Sequence, residues 1–248
     1  MLQDCGGNRM KISVITVCYN DRERIEKTIL SVLSQSYGNL EYIVIDGGST
    51  DGTVDIIKKY ANRIAYFVSE SDEGIYDAMN KGLRKAVGEW VCFINAGDLF
   101  VSESVLNTIF NEEFCRQFGV IYGDVFLRNS NNSLTFQPAR PLSFLKRAMP
   151  FCHQSSFVRR DLIKGFNPRY KICADYDFFY FLFFDNPDYF YYIPVPISIY
   201  DNSQGLSVDN PRDHRRENLS IRSKHKDMRW VLDIIKYYVK YSVLRLAK

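Results

Sequence analysis

The chain has 248 residues, of which 46% are hydrophobic and 25% are charged. This composition is typical of a globular protein with a sizeable core, and it excludes the low-complexity and collagen-like classes. The formal net charge is only +3, which is too small to indicate a nucleic-acid partner by itself.

The cysteines and the apolar runs predict a reduced, cytoplasmic chain without a membrane-spanning helix. The six cysteines lie far apart and form no C-x-x-C pair, which argues against a disulfide framework or a zinc site. The longest apolar run, Phe178–Phe184, is far shorter than the roughly 20 residues that a membrane-spanning helix needs. The N-terminal residues lack the basic-then-apolar order of a signal peptide.

The first hundred residues alternate between predicted strands and predicted helices. Residues 11–17 are rich in β-branched residues without alternation, which is typical of a fully buried strand. The helix that follows has one apolar face, and Asp21 is placed to cap it. The next elements are strands at residues 40–46, 63–70 and 89–95 and helices within residues 47–60 and 74–87. This alternation predicts right-handed βαβ units in a mainly parallel sheet covered by helices.

The second half of the chain has a more irregular pattern. Its predicted elements are a helix at residues 104–114, antiparallel strands at 119–127 and 133–138, a helix at 173–184, a strand broken by prolines at 189–200, and helix from Pro211 onward. No linker rich in Pro, Gly or Ser divides the chain. One α/β domain is therefore expected at residues 11–210, between an N-terminal extension at residues 1–10 and a basic amphipathic helical tail at residues 211–248.

Three carboxylates lie at the ends of successive predicted elements, at one edge of this sheet. Asp46 ends the second strand, Asp98 comes shortly after the fourth strand, and Asp77 lies early in the third helix. Ligands of open parallel sheets bind outside the carboxyl ends of the strands. Each aspartate on its own is compatible with capping or turn chemistry, but their recurrence at one edge favours a binding site.

The glycine-rich turn Asp46–Thr53 limits how a nucleotide could be bound. Neither the phosphate loop G-x-x-x-x-G-K-[ST] nor the dinucleotide motif G-x-G-x-x-G occurs. A nucleotide at this edge is therefore expected to be held by side chains and a divalent metal ion. Asp98, with Asn95 nearby and Gly97 removing steric bulk, is the candidate ligand for Mg²⁺ or Mn²⁺, whose other ligands would be phosphate and water.

Asp175 and Asp177 lie among aromatic residues at the start of a predicted apolar helix. A carboxylate in partly apolar surroundings tends to have a raised pKa, which suits a general base. Asp175 is equally placed to cap the first turn of that helix, and both roles are open to the same residue.

His153 and two residues at the end of the first strand are further candidates. A lone histidine is more often structural than catalytic, and His153 is one of three histidines, so both roles are open to it. Tyr19 and Asn20 could stack on a base and hydrogen-bond to it, although tyrosine is also an ordinary residue at a strand end.

Taken together, these segments resemble the family 2 glycosyltransferases, bacterial sugar transferases with the GT-A fold. The resemblance covers residues 11–207 and rests on six motifs in this order: SVITVCYN, EYIVIDGGSTDGT, SESDEGIYDAMNKG, GEWVCFINAGD, CHQSSFVRR and ADYDFF. FINAGD is similar to a subgroup of capsule and exopolysaccharide transferases. The implied fold is α/β, a Rossmann-like nucleotide-diphospho-sugar transferase with a mixed, mainly parallel sheet flanked by helices.

The resemblance implies an enzyme of cell-surface polysaccharide biosynthesis. Its donor would be a nucleotide-diphosphate sugar, with a UDP-sugar favoured, and its acceptor would be a hydroxyl of a saccharide or a lipid-linked molecule. The transfer would invert the anomeric carbon with the help of Mn²⁺ or Mg²⁺. No nucleic acid is expected as a partner.

The resemblance also implies roles for individual residues. The nucleotide sugar would contact Thr16, Tyr19, Asn20, Asp46 as the base-binding aspartate, Asp51, Asp77, Lys81 and Asn95. Asp98 would bind the metal, and Asp175 would be the general base. Asp177 is a rival base, because Ala174 replaces the carboxylate that usually precedes the base. His153 and Gln204 would lie on the acceptor or diphosphate side.

Two other classes of protein are alternatives. A sugar nucleotidyltransferase uses a similar sheet, but it would need a basic, glycine-rich signature early in the chain, which TVCYNDRERI does not supply. A non-catalytic sugar-nucleotide-binding domain would not need Asp46, Asp98 and Asp175 together, and only an assay separates it from an enzyme.

The C-terminal tail is strongly basic. Residues 212–248 contain eleven Lys or Arg and four Asp or Glu. Apolar and aromatic residues recur there at helical spacing: Trp230, Ile234, Tyr237, Tyr238, Tyr241 and Leu244. A basic amphipathic helix of this kind can lie on an anionic membrane surface. We therefore expect peripheral contact with the inner face of the cell membrane, with packing on the same domain or on a second subunit as the alternative.

Overall fold

The computed structural model describes residues 9–110, 113–202, 210–225 and 230–237. Nine strands of this part of the chain form one sheet. The strands are β1 Ile12–Cys18, β2 Leu40–Asp46, β3 Tyr66–Ser69, β4 Trp90–Phe93, β5 Leu99–Phe100, β6 Val120–Arg128, β7 Leu134–Gln137, β8 Ser156–Arg159 and β9 Phe190–Asp201. The α-helices are α1 Ile25–Leu33, α2 Thr53–Lys58, α3 Ile75–Lys85, α4 Val105–Phe110, α5 Ala174–Asp185 and α6 Pro211–Arg222. Residues 230–237 are also helical.

The first half of the sheet is parallel, as the alternation of strands and helices predicts. Its order is β3-β2-β1-β4, and β1 pairs in parallel with both β2 and β4. Ile12 is in register with Leu40 on one side and with Trp90 on the other. The carboxyl ends of these strands therefore lie at one edge of the sheet.

Helices cover both faces of this parallel half. Val14 belongs to the core cluster that contains Ile29 of α1, and Ile15 belongs to the cluster that contains Met79 of α3. Because successive side chains of a strand point to opposite faces, the two helices lie on opposite sides of β1. Gly82 permits the close approach of α3, since a Cβ atom there would lie 2.6 Å from Cγ2 of Ile15.

The second half of the sheet contains the antiparallel pairs. β8 pairs antiparallel with both β4 and β6, and β6 and β7 form the predicted antiparallel pair. The sequence predicted no strand at β8. β9 is continuous through Pro194 and Pro196, in contrast to the predicted break. Its register against β6 shifts on either side of Asp124, and such an irregularity accommodates residues that have no N–H to donate.

α1 begins later than the sequence predicted, and Asp21 does not cap it. The helix starts at Ile25 after Arg24, and no side-chain cap is present. The Asp21 carboxylate instead accepts two hydrogen bonds from the Arg24 guanidinium, at 2.7 and 2.8 Å. Asp21 therefore orients the Arg24 guanidinium close to the edge of the sheet.

α6 is part of the domain rather than a separate tail. Ile221 is fully buried in a core cluster that also contains Val120 of β6 and Phe179 of α5. The predicted boundary at residue 211 therefore does not separate two packing units.

The helix at residues 230–237 packs back on α6. The Trp230 indole N–H donates to the Leu219 carbonyl at 2.9 Å, and Asp233 pairs with Arg222 at 2.9 Å. Tyr237 is buried, whereas Val231, Leu232 and Ile235 are exposed. Tyr238, Tyr241 and Leu244 lie outside the described residues. Among the described residues, no helix combines the length and the apolar character needed to cross a bilayer.

Candidate functional site

Four of the predicted site residues line one cavity of about 710 Å³: Asn95, Asp98, His153 and Asp175. Asn95 and Asp98 follow β4, whereas Asp175 lies in the first turn of α5. The two halves of the chain therefore meet at this cavity, beyond the carboxyl end of a central strand, where open α/β sheets bind their ligands. Gln204 lies outside the described residues.

Asp98 is a buried carboxyl group in the wall of the cavity. Its Oδ1 accepts a hydrogen bond of 3.0 Å from the backbone N–H of Asp201. Burial raises the pKa of Asp98 to about 7; the Asp201 N–H opposes this rise, the Asp201 carboxylate adds to it, and Arg24 and Arg128 oppose it. A cation bound here would favour the ionised form of Asp98.

Asn95 supplies a second oxygen atom at this wall. Its Oδ1 is buried and has no hydrogen-bond partner within the described residues. The backbone N–H of Asp98 donates to the Asn95 carbonyl at 2.9 Å. Oxygen atoms are the ligands that Mg²⁺ and Mn²⁺ prefer, so the two side chains fit a divalent cation.

The protein alone offers such a cation few ligands. The described part of the chain contains no group of three His, Cys, Asp or Glu that could hold a metal ion. A cation beside Asp98 and Asn95 would therefore depend on oxygen atoms of the bound substrate and of water for its remaining ligands.

Arg24 fills the space beside Gly97. Gly97 has a φ of +97°, and a Cβ atom on it would lie 3.3 Å from Nη1 of Arg24. The same Nη1 pairs with the Asp201 carboxylate at 3.1 Å. Arg24 was not predicted as a site residue. Arg24 and Asp201 lie 177 residues apart in the chain, and only the fold brings them together.

Asp175 is fixed by hydrogen bonds in the opposite half of the site. Its Oδ1 lies 2.9 Å from the Tyr76 hydroxyl and 2.8 Å from the backbone nitrogen of Tyr176, which donates to it. Its Oδ2 lies 3.8 Å from Nδ1 of His153, and the Asp175 side chain is 22% exposed. The carboxylate is therefore oriented by the protein and still reaches the cavity.

His153 is buried beside Asp175. Burial lowers the pKa of His153, and the Asp175 carboxylate opposes this effect. The imidazole packs against the rings of Phe93 and Phe166, with centroid distances of 5.2 and 5.7 Å. His153 thus has the packing of a core residue as well as a place in the cavity wall.

Asp177 is directed away from this cavity. Its buried carboxylate pairs with the Lys224 ammonium group at 2.9 Å. It lines a different cavity of about 460 Å³, together with Phe178 and Phe181. Of the two candidate bases, Asp175 is the one that shares a cavity with Asp98.

Asp46, expected from the sequence to contact the nucleotide base, is buried and bonded within the protein. Its side chain is 0% exposed and accepts hydrogen bonds from the hydroxyls of Ser49 and Ser69 and from the N–H groups of Gly48 and Ser49. Burial by itself would raise the pKa of Asp46, but the bonds from Ser49 and Ser69 outweigh it and lower the pKa. The ionised Asp46 carboxylate therefore stabilises the turn after β2 through these hydrogen bonds.

Two further expected nucleotide contacts are used within the protein. Thr16 is fully buried, and its hydroxyl bonds to that of Tyr42 at 3.0 Å. Asp51 accepts hydrogen bonds of 3.0 Å from the N–H groups of Thr53 and Arg22. Neither Thr16 nor Asp51 lines the 710 Å³ cavity, and both connect segments of the fold.

Tyr19 presents an exposed ring at the edge of the sheet. Its side chain is 65% exposed. The backbone N–H of the next residue, Asn20, donates to Oγ of Ser49 at 2.7 Å, and Asn20 Oδ1 accepts from the N–H of Thr50 at 2.9 Å. These bonds attach the turn that carries Tyr19 to the loop after β2.

Asp72 is a carboxylate beside Tyr19 that the sequence analysis missed. A Cβ atom on Gly47 would lie 2.5 Å from Oδ2 of Asp72 and 3.3 Å from ring carbon Cδ2 of Tyr19. The Asp72 carboxylate and the exposed Tyr19 ring therefore both lie beside Gly47, where a larger residue would fill the space between them. Oδ1 of Asp72 accepts from the N–H of Gly74 at 2.9 Å. The signals in the sequence for this arrangement were the glycine after Asp46 and the motif SESDEGIYDAMNKG, which contains Asp72.

Asp77 and Lys81 hold the loop that carries Asp72. The Lys81 ammonium group donates to the carbonyl of the preceding residue, Ser71, at 2.8 Å. It also pairs with Glu70 at 3.0 Å and with Asp77 at 3.6 Å. Two carboxylates thus compensate the charge of Lys81, and neither Asp77 nor Lys81 lines the 710 Å³ cavity.

Known proteins share this sequence pattern. Residues 13–183 match the family model described as glycosyl transferase family 2. The chain is 32% identical over 203 residues to a PGL/p-HBAD biosynthesis glycosyltransferase of Mycobacterium bovis (strain BCG / Pasteur 1173P2), a match that covers 79% of this chain and 78% of that protein.

Solved structures share the fold at lower sequence identity. S. aureus TarS 1–349 in complex with UDP-GlcNAc has a TM-score of 0.65 at 19% identity, covering 90% of this chain and 69% of that chain. The mannosyltransferase PcManGT from Pyrobaculum calidifontis, in complex with GDP-Man and Mn²⁺, has a TM-score of 0.64 at 18% identity, covering 88% and 66%. This chain spans 41% of a longer TarS chain. The predicted α/β fold of the GT-A type is confirmed by these likenesses.

Proposed function

Because the chain belongs to glycosyl transferase family 2, we propose that it transfers a sugar from a nucleotide-diphosphate sugar to a hydroxyl of a saccharide or lipid-linked acceptor. A UDP-sugar is the favoured donor, the anomeric carbon is inverted, and the product contributes to a cell-surface polysaccharide such as a capsule or exopolysaccharide. One observation carries the proposal: Asp98 and Asp175, from the two halves of the chain, line a single cavity. The UDP-GlcNAc and GDP-Man in two structures of this fold support it.

Asp175 is the proposed general base. Its carboxylate takes the proton of the acceptor hydroxyl while that oxygen forms a bond to the anomeric carbon. The bond from this carbon to the diphosphate breaks on the opposite face, and the nucleoside diphosphate leaves with the bonding electrons. The hydrogen bonds from Tyr76 and from the Tyr176 N–H keep the carboxylate oriented. Attack opposite the leaving group accounts for inversion.

Asp98 and Asn95 form the proposed diphosphate end of the cavity. They would hold a divalent cation, Mn²⁺ or Mg²⁺, whose charge would offset the charge that the diphosphate gains on leaving. The Arg24 guanidinium lines the same cavity and adds positive charge there, held in place by the Asp201 carboxylate. The cation and Arg24 would therefore offset the negative charge of the nucleoside diphosphate as its bond to the anomeric carbon breaks.

Tyr19 and Asp72 form the proposed nucleobase site. Bases stack on exposed tyrosine rings without regard to their identity, so the ring by itself supplies affinity. An ionised carboxylate only accepts hydrogen bonds, so Asp72 favours bases with a ring N–H on the pairing edge, which are uracil, thymine and guanine. This preference supports a UDP-sugar and disfavours cytosine and adenine, whose ring nitrogens on that edge are acceptors.

The proposed location is the cytoplasm, with peripheral contact to the inner face of the membrane. The five cysteines within the described residues are free, as a reducing compartment requires. The proposed lipid contact is the outer side of the helix at residues 230–237, where Val231, Leu232 and Ile235 are exposed and Lys236 adds positive charge. The inner side of this helix packs against α6.

Thermal unfolding and nucleotide release test the proposed function. UDP-, GDP- and dTDP-sugars would each be added with and without Mn²⁺. A ligand that binds only the native state raises the free energy of unfolding by about 2.7 kcal/mol at a hundred times its Kd, so a true donor should raise the Tm. The same donor should release its nucleoside diphosphate when the sugar passes to water or to an added octyl glycoside.

The outcomes separate the alternatives. A protein that no donor stabilises, and that releases no nucleotide, refutes the proposal. Stabilisation without nucleotide release under any condition would indicate the non-catalytic binding domain. The family match gives no support to a sugar nucleotidyltransferase.

A further inference from the structure

α6 carries a buried carboxylate that holds the segment in front of Asp175. Glu217 is 8% exposed and accepts hydrogen bonds from three successive N–H groups, those of Lys171 at 2.9 Å, Ile172 at 3.0 Å and Cys173 at 3.0 Å. Hydrogen bonds to an ionised acceptor are stronger than neutral ones. Cys173 is the N-cap of α5, so Glu217 fixes the point at which that helix begins.

Tyr76 of α3 holds the same segment from its other side. The Tyr76 hydroxyl lies 2.7 Å from the Ile172 carbonyl oxygen and 2.9 Å from Oδ1 of Asp175. Ile172 is therefore bonded through its N–H to α6, and its carbonyl shares the single Tyr76 hydroxyl proton of α3 with Asp175. Asp175 comes two residues after Cys173, and the direction of a side chain in a first helical turn follows its backbone.

α6 also reaches the cavity itself. His214 and Asn218 are four residues apart, which places them on one face of the helix, and both line the 710 Å³ cavity with Asp175. Glu217 lies directly before Asn218 on this helix. The family match ends at residue 183, so α6 lies beyond the part of the chain that the family model covers.

We propose that Glu217 is a positioning residue for Asp175, and that α6 is thereby part of the active site. The inference rests on the proposed function, because it requires Asp175 to act as the general base. Glu217 sets where the base lies and does not touch the reacting atoms. A misplacement of about 1 Å in a catalytic arrangement can cost roughly a hundredfold in rate. Donor binding at Asp98 and Asn95 is built by other elements and does not depend on Glu217.

Glu217→Gln tests the inference through the kinetics of nucleotide release. The donor would be the nucleotide sugar that gives the largest thermal shift. The glutamine amide can accept through its oxygen, but it turns an N–H₂ group towards the backbone N–H groups, so the segment must move. We expect kcat to fall at least about tenfold, whereas the KM for the donor and the donor's thermal shift stay at the wild-type values.

Glu41→Gln is the matched control. Glu41 is also 8% exposed and also accepts hydrogen bonds within the fold, from the Ser13 hydroxyl and the Val87 N–H. It lies at the amino end of β2, away from the carboxyl ends that form the site. The control should lose stability and keep its kcat, because its carboxylate supports no part of the cavity.

Three outcomes decide the matter. A folded Glu217→Gln protein with the wild-type kcat overturns the inference, and so does an equal fall of kcat in both variants. If Glu217→Gln does not fold, Glu217→Asp replaces it; the shorter carboxylate cannot reach all three N–H groups, and an unchanged kcat would again overturn the inference. A wild-type protein that binds and turns over no nucleotide sugar refutes the proposed function as well, which distinguishes the two failures.

Discussion

The Ser69 hydroxyl donates a hydrogen bond of 2.6 Å to Oδ2 of Asp46, and this bond ties the end of β3 to the end of β2. Ser49 binds the same carboxylate through its hydroxyl and its N–H. Although burial would raise the pKa of Asp46, these bonds favour the ionised form and hold the pKa below its ordinary value. The turn that supports Tyr19 therefore depends on a charge inside the fold.

Asp46→Asn should lower stability most near neutral pH. The new N–H₂ group would face hydrogen-bond donors, which costs about 1–3 kcal/mol. The advantage of the wild type is present above the ordinary carboxyl pKa, and it is lost as the pH falls through the lowered pKa of the folded protein, because the carboxyl group then becomes neutral. Urea unfolding should show a difference at neutral pH that shrinks in acid. A difference independent of pH would mean that the charge of Asp46 is not the cause.

Asp98→Asn should remove the metal-dependent part of donor binding. With UDP as the ligand, Mn²⁺ should increase the thermal shift of the wild type and leave that of the variant unchanged. Asp124→Asn is the matched control, because Asp98 and Asp124 are both 4% exposed and Asp124 binds the Tyr192 hydroxyl outside the cavity. If the Asp98 variant keeps the whole effect of Mn²⁺, the cation is held by other groups.

Asp175→Asn should slow nucleotide release by a factor of about 10²–10⁴, the usual contribution of general acid–base catalysis. Donor binding, measured by thermal shift, should be unchanged. Asp177→Asn provides the comparison on the same helix, since its carboxylate pairs with Lys224 and lines the other cavity. It should lose stability, because a partly buried ion pair is broken, but it should keep its rate. Equal losses of rate would remove Asp175 from the role of base.

Asp72→Asn should weaken the choice between nucleobases. UDP should bind the wild type more tightly than CDP, and the variant should lower this ratio about tenfold, which corresponds to 1.4 kcal/mol. The asparagine amide can donate to the cytosine ring nitrogen, whereas the carboxylate repels it. Glu73→Gln removes the same charge one residue away and should leave the ratio unchanged. Titration calorimetry with both nucleotides measures it, and an unchanged ratio in Asp72→Asn would exclude Asp72 from base recognition.

Replacing Leu232 and Ile235 by Asp should abolish binding to anionic liposomes. Both side chains are exposed on the outer side of the last described helix, and negative charges there oppose phosphatidylglycerol. Cosedimentation with vesicles measures the effect. The exposed Leu134 and Phe136 of β7 provide the control, since the same replacement there should not matter. A wild-type protein that stays in the supernatant would contradict membrane contact.

The parallel half of the fold and the family were predictable because their signals are local. β1 and β2 are rich in β-branched and apolar residues. β2 ends at Asp46 and is followed by two glycines, which marks the carboxyl end of the strand. The six motifs run from Ser13 to Phe179, and the family match spans nearly the same part of the chain. The resemblance to family 2 glycosyltransferases is therefore confirmed.

Much of the site was not predictable, because contacts between distant segments decide it. Thr16 and Asp46 are polar residues near the carboxyl ends of β1 and β2, as Asn95 and Asp98 are near that of β4, and nothing in the local sequence tells which of them line the cavity. Within the fold, the Tyr42 hydroxyl bonds to Thr16 and the Ser69 hydroxyl bonds to Asp46, both from neighbouring strands. β8 has only 4 residues, which are too few to show the alternation of buried and exposed side chains that identifies a strand. The bond between Asp201 and Asp98 joins residues 103 positions apart.

Gly82 has a consequence well outside its own surroundings. Any larger residue there would press on Ile15 and push α3 away from the sheet. The first turn of α3 carries Tyr76, whose hydroxyl lies against Asp175. A single added methyl group at position 82 should therefore lower activity by moving Tyr76 away from Asp175, without any substitution among the residues that line the cavity. A screen for inactive variants should recover position 82 although Gly82 does not line the 710 Å³ cavity.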